Sequence, residues 1–230
     1  LNEQTRNILT VEDPVEYAID GVGQTQVNAK VGMTFAAGLR AILRQDPDII
    51  MVGEIRDVET AEIAVQASLT GHLVLSTVHT NSAVAAIARL RDMGVESYLL
   101  ASTVSAILAQ RLVRRLCTAC REPYEASHAE KELLGLDVEE SATLYRPNGC
   151  PRCKSSGYQG RTGLYEIVVI DDAMRGLIHD DARESDMAAH AFRNRDNLFR
   201  NGAELALKGE TSLSEVLRVC REESERHAGL

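Results

Sequence analysis

The chain contains no tryptophan, and aromatic residues of all kinds make up only 4% of its 230 residues. A basic, aromatic-rich patch of the kind that stacks and neutralises nucleic acid is therefore missing. Basic residues are also the minority: 25 Lys and Arg stand against 34 Asp and Glu, for a net charge of −9. That balance works against binding a phosphate backbone or an anionic membrane surface, so no nucleic-acid partner is expected. Long apolar runs are absent as well. The longest stretch free of charge and histidine, SYLLASTVSAILAQ at 97–110, falls short of the roughly 20 residues that span a bilayer, and it reads as a buried helix. No charged head, apolar core and small-residue cleavage site opens the chain, so the cytosol is the expected setting. Finally, no lysine follows a glycine anywhere, so the phosphate cradle G-x-x-x-x-G-K-[ST] does not occur within these residues. The chain starts at Leu1 within a polar stretch, LNEQTRN, and is expected to be a piece of a longer protein.

What remains is ordinary globular usage, 44% apolar and 26% charged, enough for one large or two moderate domains. From Ile8 to about Val113, short apolar bursts alternate with helical patterns, the signature of a mostly parallel sheet with flanking helices. Strands are expected at 8–11, 48–52 and 72–77. Between the first two, Phe35, Leu39, Ile42 and Leu43 share one helical face that Thr34 could cap. Between the second and third, Asp57 is the expected cap of a helix carrying Ala61, Ala64, Val65 and Leu69 inward and stopped by Gly71. Two further helices are expected at about 83–93 and 97–116. Composition then shifts to paired cysteines, prolines and glycines up to Gly163. After a strand-like LYEIVVI come helices at 172–179, 184–199, 203–208 and 212–221, the last opened by Ser212 and Glu215 at capping-box spacing. The expected domains are 1–113, 114–163 and 164–230.

In a parallel sheet, residues that follow the strands gather along one edge, where α/β proteins bind ligands. Here the first strand ends in Glu12 and Asp13, the second in Glu54 and Arg56, and the third leads to His79. Three carboxylates, an arginine and a histidine on one rim suit nucleoside triphosphate hydrolysis. One acid can hold or hydrate Mg²⁺, another can orient water, and cations offset phosphoryl charge. Charges also end strands simply because solvent begins there. Three strands ending this way favour a site. His72, beside the apolar strand, reads more readily as a hydrogen-bonded structural group.

Cys117, Cys120, Cys150 and Cys153 form CTAC and CPRC, two knuckles that can each present two sulfurs to one tetrahedral ion. With four thiolates and no open position, the expected ion is a structural Zn²⁺ stabilising a segment with little core. Disulfides are the competing reading, disfavoured in a reducing cytosol. Cys220, in the last helix, reads as a small buried hydrophobe.

VEDPVEY at 11–17, MTFAAGLRAILRQDPDIIMVGEIRD at 33–57 and GHLVLSTVHTN at 71–81 resemble, in order, the aspartate box, Walker B and histidine box of secretion ATPases. These are hexameric motors of type II secretion and type IV pilus assembly. The cysteine segment and GETSLSEVLRV resemble the family too, and GQTQVN at 23–28 points towards the type II secretion member, with a pilus assembly ATPase the alternative. The resemblance implies a RecA-like ATPase domain, a small zinc-binding subdomain and a helical C-terminal subdomain. It implies ATP and Mg²⁺ as cofactors, with Glu54 acting on water or Mg²⁺, Glu12 as the acidic-box carboxylate and His79 as a sensor. Asp13 and His72 are carried as nucleotide-site candidates. Arg40, Arg44, Arg56 and Arg89 match arginines near subunit interfaces; a solvated face or local ion pair is equally open for Arg44 and Arg89. The implied partners are further copies in a ring and inner-membrane platform proteins, reached through N-terminal domains. The implied location is the cytoplasmic side of the inner membrane, with the power going to pseudopilus assembly. Without the phosphate cradle these residues alone are expected to be inactive, so a zinc-stabilised assembly module without catalysis remains the reading from a different class.

Overall fold

The computed structural model describes residues 1–80 and 82–226, with only the backbone described at 221–226. Asn81, the last residue of the third motif, lies outside the described residues. The chain divides into two compact units, 1–107 with 169–190, and 108–168 with 191–230. The boundaries expected at 113/114 and 163/164 fall inside two long strands, Ala106–Leu116 and Tyr158–Val169.

The first unit is the expected α/β fold. Its sheet has four parallel strands, β1 (Ile8–Glu12), β2 (Val22–Gln26), β3 (Ile49–Val52) and β4 (Leu73–Ser76), in the order β2-β1-β3-β4. The two central strands are almost wholly apolar and buried, as parallel strands covered on both faces must be. Register aligns Val11 with Val52 and Val52 with Ser76, so the three strands end nearly level. Helix α1 (Phe35–Ile42) starts where Thr34 accepts a bond from Ala37 N, and α2 (Val58–Leu69) where Asp57 accepts one from Thr60 N. Both caps are those expected. α1 lies so close to β1 that a Cβ on Gly38 would come within 2.9 Å of Val11. Helices α3 (Ala85–Asp92) and α4 (Ser97–Thr103) follow, and α6 (Asp172–His179) and α7 (Glu184–Ala191) return to this unit. Arg91 of α3 ties α6 down by donating to Ile178 O at 2.7 Å and Ala182 O at 3.3 Å.

Three elements depart from expectation. The helix expected over 97–116 stops at Thr103, and Ala106–Leu116 is the strand β5, paired with β8 (Tyr158–Val169). Its outward Leu108 and Leu112 alternate with more covered Ile107, Ala109 and Val113, a period of two that an apolar run conceals. β2 was not expected at all: VGQTQ is polar and carries Gly23, and it becomes a strand because β1 offers a parallel edge. The helix expected over 184–199 ends at Ala191, and its last residues join the helix expected at 203–208 in one helix, α8 (Leu198–Leu207), which Asn197 caps by accepting from Arg200 N at 2.9 Å.

The second unit contains β5 and β8, the antiparallel pair β6 (Glu122–Glu125) and β7 (Thr143–Arg146), α5 (His128–Leu134), α8 and α9 (Leu213–Arg226). Among the described residues, no helix is long and apolar enough to cross a membrane. Among the described residues the unit's fully buried apolar clusters are small: Ala126, Leu144, Ala206 and Leu213 in one, Val113, Leu164 and Leu198 in another, with partly buried residues packed around each. A buried carboxylate works between them. Ser212 Oγ caps Glu215 N as the capping box requires, but Glu215 does not reach back. Its oxygens instead accept from Arg114 N at 3.1 Å, Arg114 Nη2 at 2.6 Å and Arg218 Nε at 2.9 Å. Burial alone would raise the pKa of Glu215, but the donated bonds from Arg218 and Arg114 outweigh it and hold it at about 2. Arg114 also covers the Tyr158 ring at 4.1 Å.

A carboxylate near 2 in the folded state and near 4.3 when unfolded contributes stability above the unfolded value, and loses it as pH falls towards the folded one. The second unit should therefore weaken between about pH 4.5 and pH 2, by an amount on the order of 2 to 3 kcal/mol. Glu215→Gln should lower the unit's stability at pH 7 by about 2 kcal/mol and flatten that acid limb, as read by urea melts across pH.

Candidate functional site

The segment after β3 is stitched to its neighbours on both sides. Gly53 N donates to Val11 O at 2.8 Å, Ile55 N to Thr77 O at 3.0 Å, and Thr77 Oγ1 to Gly53 O at 2.7 Å. A Cβ at Gly53 would sit 3.2 Å from Val11 O and 3.3 Å from the Phe35 ring, tighter than ordinary packing. The glycine lets the strand end pass close to β1 before it delivers Glu54.

Glu54 is the chemical centre of this edge. Its side chain is 12% exposed, while its partners Arg56 and His79 are 58% and 89% exposed. Arg56 forms an ion pair with Oε1. His79 Nε2 lies 3.0 Å from Oε2, but off the hydrogen-bonding line, so the buried Oε2 has no aligned donor among the described residues. The bond from Arg56 is the main reason that Glu54 is more acidic than an ordinary glutamate; burial opposes it, and the charges of Arg56 and His79 reinforce it. Asp13 adds a further negative charge within reach of Arg56. An ionised, half-enclosed carboxylate with one undirected oxygen can orient water or meet a hydrated cation, while an exposed guanidinium and imidazole beside it can face an anion.

Glu12 has different company. Its Oε1 accepts from Thr10 Oγ1 and, at 2.9 Å, from Gln24 Nε2. Neither Thr10 nor Gln24 was singled out from sequence. The available signal was Gln24 in GQTQVN, which has meaning only once β2 is a strand beside β1.

The remaining candidates are placed elsewhere. Arg40 pairs with Glu59 at 2.6 Å, both more than half exposed, a contact worth roughly 0 to 1 kcal/mol. Arg44 and Arg89 have no side-chain partner among the described residues. His72 precedes β4, at the opposite end of that strand from His79. Its Nδ1 lies 3.0 Å from Ala67 O, to which only an N–H can donate, so it ties the end of α2 to the start of β4. The structure brings together Glu54, Arg56, His79 and Asp13, and leaves His72 and Arg40 outside that group.

In the second unit, the four sulfurs of Cys117, Cys120, Cys150 and Cys153 all lie within 4.8 Å of one another. Three of the separations are 3.9, 3.8 and 3.7 Å, too long for disulfides. They match the edge of about 3.8 Å of a tetrahedron with metal–sulfur bonds of about 2.3 Å. The backbone is arranged for thiolates. Gly149 N donates to Cys120 Sγ at 3.3 Å, and Cys150 N and Gly157 N donate to Cys153 Sγ at 3.2 Å each. Burial pushes the Cys120 thiol up to about 12, whereas at Cys153 burial is overcome by the two N–H groups and the thiol comes down to about 6. Cys153 thus ionises readily, whereas Cys120 needs a cation beside it to do so. The donor set fits a thiophilic tetrahedral metal ion.

The family model described as type II/IV secretion system protein matches residues 1–218. The chain is 63% identical over 223 residues to "Type II secretion system protein E" of Pseudomonas aeruginosa, covering 97% of this chain and 44% of that protein. It is 57% identical over 222 residues to "Type II secretion system ATPase E" of Vibrio cholerae, covering 96% and 44%. The chain thus spans less than half the length of these relatives. Among solved structures it is similar to the pilus retraction motor PilT with bound ADP, at a TM-score of 0.67 and 26% identity, covering 96% of this chain and 54% of that one. It also shares its fold with the ATPase DotB of Legionella pneumophila, at a TM-score of 0.64 and 22% identity. A level row of parallel strand ends with their acids, a four-thiol cluster and a match across 218 residues agree on one conclusion: the chain belongs to the type II/IV secretion system protein family.

Proposed function

We propose that these residues are the water-handling half of an ATP-hydrolysing motor subunit that powers type II protein secretion, driving pseudopilus assembly from the cytoplasmic side of the inner membrane. The observation that carries this reading is Glu54, a half-enclosed carboxylate at the end of a central parallel strand, with one oxygen paired to Arg56 and the other lacking an aligned donor among the described residues. Bound ATP·Mg²⁺ would supply the phosphoryl group and a metal to neutralise its charge. Glu54 Oε2 orients the attacking water and draws on its proton, Arg56 offers its guanidinium to phosphate or a neighbouring subunit, and exposed His79 presents Nε2 to the same space. Glu12 and Asp13 complete the acidic side. Arg44 and Arg89, without local partners among the described residues, are suited to reach a neighbouring copy; Arg40 would first have to leave Glu59. Arginines placed in this way would suit a homo-oligomeric ring, for which a hexamer is our reading.

A phosphate loop must come from outside these residues, since none of the 16 glycines precedes a lysine. The outer edge of β4 supports a place for it: Leu73 and Leu75 are 43% and 40% exposed there, and a strand added beside them would end next to Glu54 and His79. By this reading the residues alone do not hydrolyse ATP. In functional terms we divide them as 1–113 for the ATPase part, 114–163 for the zinc part and 164–230 for the helical part. Inner-membrane platform proteins are the proposed mechanical partners.

For the metal we propose Zn²⁺, held by Cys117, Cys120, Cys150 and Cys153 in a structural role, because four sulfurs leave no position for water.

In the full-length protein, Glu54→Gln should lower Mg²⁺-dependent ATP hydrolysis at least about a hundredfold while leaving nucleotide binding intact; undiminished turnover would remove Glu54 from the reaction. Arg56→Ala removes the main cause of the enhanced acidity of Glu54. Glu54 then takes up its proton at higher pH, and the acid limb of the rate profile should move upward. For the metal, the purified chain should carry one zinc per molecule, and a chelator should melt the second unit alone. Zinc well below one per chain together with fewer than five titratable thiols would instead favour disulfides.

A further inference from the structure

We infer that Gln24 and Thr10 are positioning residues that hold Glu12 in its working orientation, a role that rests on the ATPase reading above. Thr10 and Glu12 are two residues apart on β1 and so point to the same face, and Gln24 stands opposite Thr10 in the parallel register. The three side chains form one small network. Thr10 is 4% exposed, and its hydroxyl donates to Glu12 Oε1. Gln24 Nε2 donates to the same oxygen at 2.9 Å and to Tyr17 O at 2.9 Å, while Gln24 Oε1 accepts from Ile19 N at 2.8 Å. Every hydrogen-bonding position of the Gln24 amide that this geometry needs is used, and its orientation is fixed by a carbonyl on one side and an N–H on the other.

Two donors converge on Oε1, and Oε2 of Glu12 has no partner among the described residues. The carboxylate is therefore pinned by one oxygen and presented by the other. Both donors to Glu12 are neutral side chains, unlike the guanidinium of Arg56 that meets Glu54. This also accounts for β2. A polar strand adds little core, and its strand-opening Val22 is only partly covered. Its contribution at this edge is the amide that orients Glu12, delivered through a loop, residues 13–21, whose own backbone is held by the same amide. Outer-shell partners of this kind typically matter by 10 to 100-fold in activity when removed.

The test uses the full-length protein and separates orientation from folding. Gln24→Leu and Thr10→Val should each lower kcat for Mg²⁺-dependent ATP hydrolysis roughly tenfold, with KM for ATP changed less than about twofold and the melting temperature near that of the parent. Thr10→Ser, which keeps the hydroxyl, should restore kcat. Gln24→Glu, of the same shape, should be worse than Gln24→Leu, because it sets a second carboxylate against Glu12. If Gln24→Leu fails to fold, the Thr10→Val and Thr10→Ser pair decides alone. Folded variants with unaltered kcat, a loss confined to KM, or Thr10→Ser as impaired as Thr10→Val would each overturn the inference. Glu12→Gln with full kcat would overturn it too, while leaving the ATPase reading intact. Absence of hydrolysis by the unsubstituted protein, with Glu54→Gln no different, would instead remove the ATPase reading and this inference with it.

Discussion

The parallel register of β1, β3 and β4 is the constraint on which the rest of the first unit depends. Val11, Val52 and Ser76 share one row, and a slip of one residue would turn every buried side chain of a central strand to the opposite face. With both faces of β1 and β3 buried, that slip is not available. The residues after each strand therefore leave the sheet at the same level. Gly53 carries β3 past β1 where a larger residue would crowd the Val11 carbonyl and the Phe35 ring. The position of Glu54 is a consequence of packing several residues upstream of it.

The two acids on this edge are managed by different physics. Glu54 is held by cations: Arg56 lowers its affinity for protons against the opposing effect of burial, and His79 adds to this from an exposed position. Glu12 is held by neutral donors from Thr10 and Gln24, which fix its direction without meeting its charge. One carboxylate is tuned and the other aimed, a division suited to a reaction that needs both a proton acceptor and a charge near phosphate.

The second unit solves a different problem, that of small cores. Its apolar clusters are short, and polar groups do much of the joining: Glu215 gathers Arg114 and Arg218, Arg114 covers Tyr158, and four thiols converge within one ion's reach. Buried charge of this sort is tolerable only when each oxygen and each thiolate is met by donors or a cation. The backbone N–H groups of Gly149, Cys150 and Gly157 are turned to the sulfurs accordingly.

Features whose signals lie in neighbouring residues are legible in the sequence. Thr34 and Asp57 cap the helices they precede, the acids at 12 and 54 lie at the ends of their strands, and the spacing of the cysteine knuckles announces a four-sulfur cluster. The sequence could not decide where partners come from elsewhere in the chain. Residues 106–116 look helical until β8 supplies an edge to pair with, and VGQTQ looks like a loop until β1 makes it β2. Glu215 looks like half of a capping box until Arg114, far away in sequence, claims its carboxylate. Gln24 belongs with these: an unremarked polar residue whose place beside Glu12 exists only in the parallel sheet. Caps and periodicity are written into neighbouring residues, whereas pairing and orientation depend on which distant segment arrives with the better hydrogen bonds, and only the tertiary structure decides that.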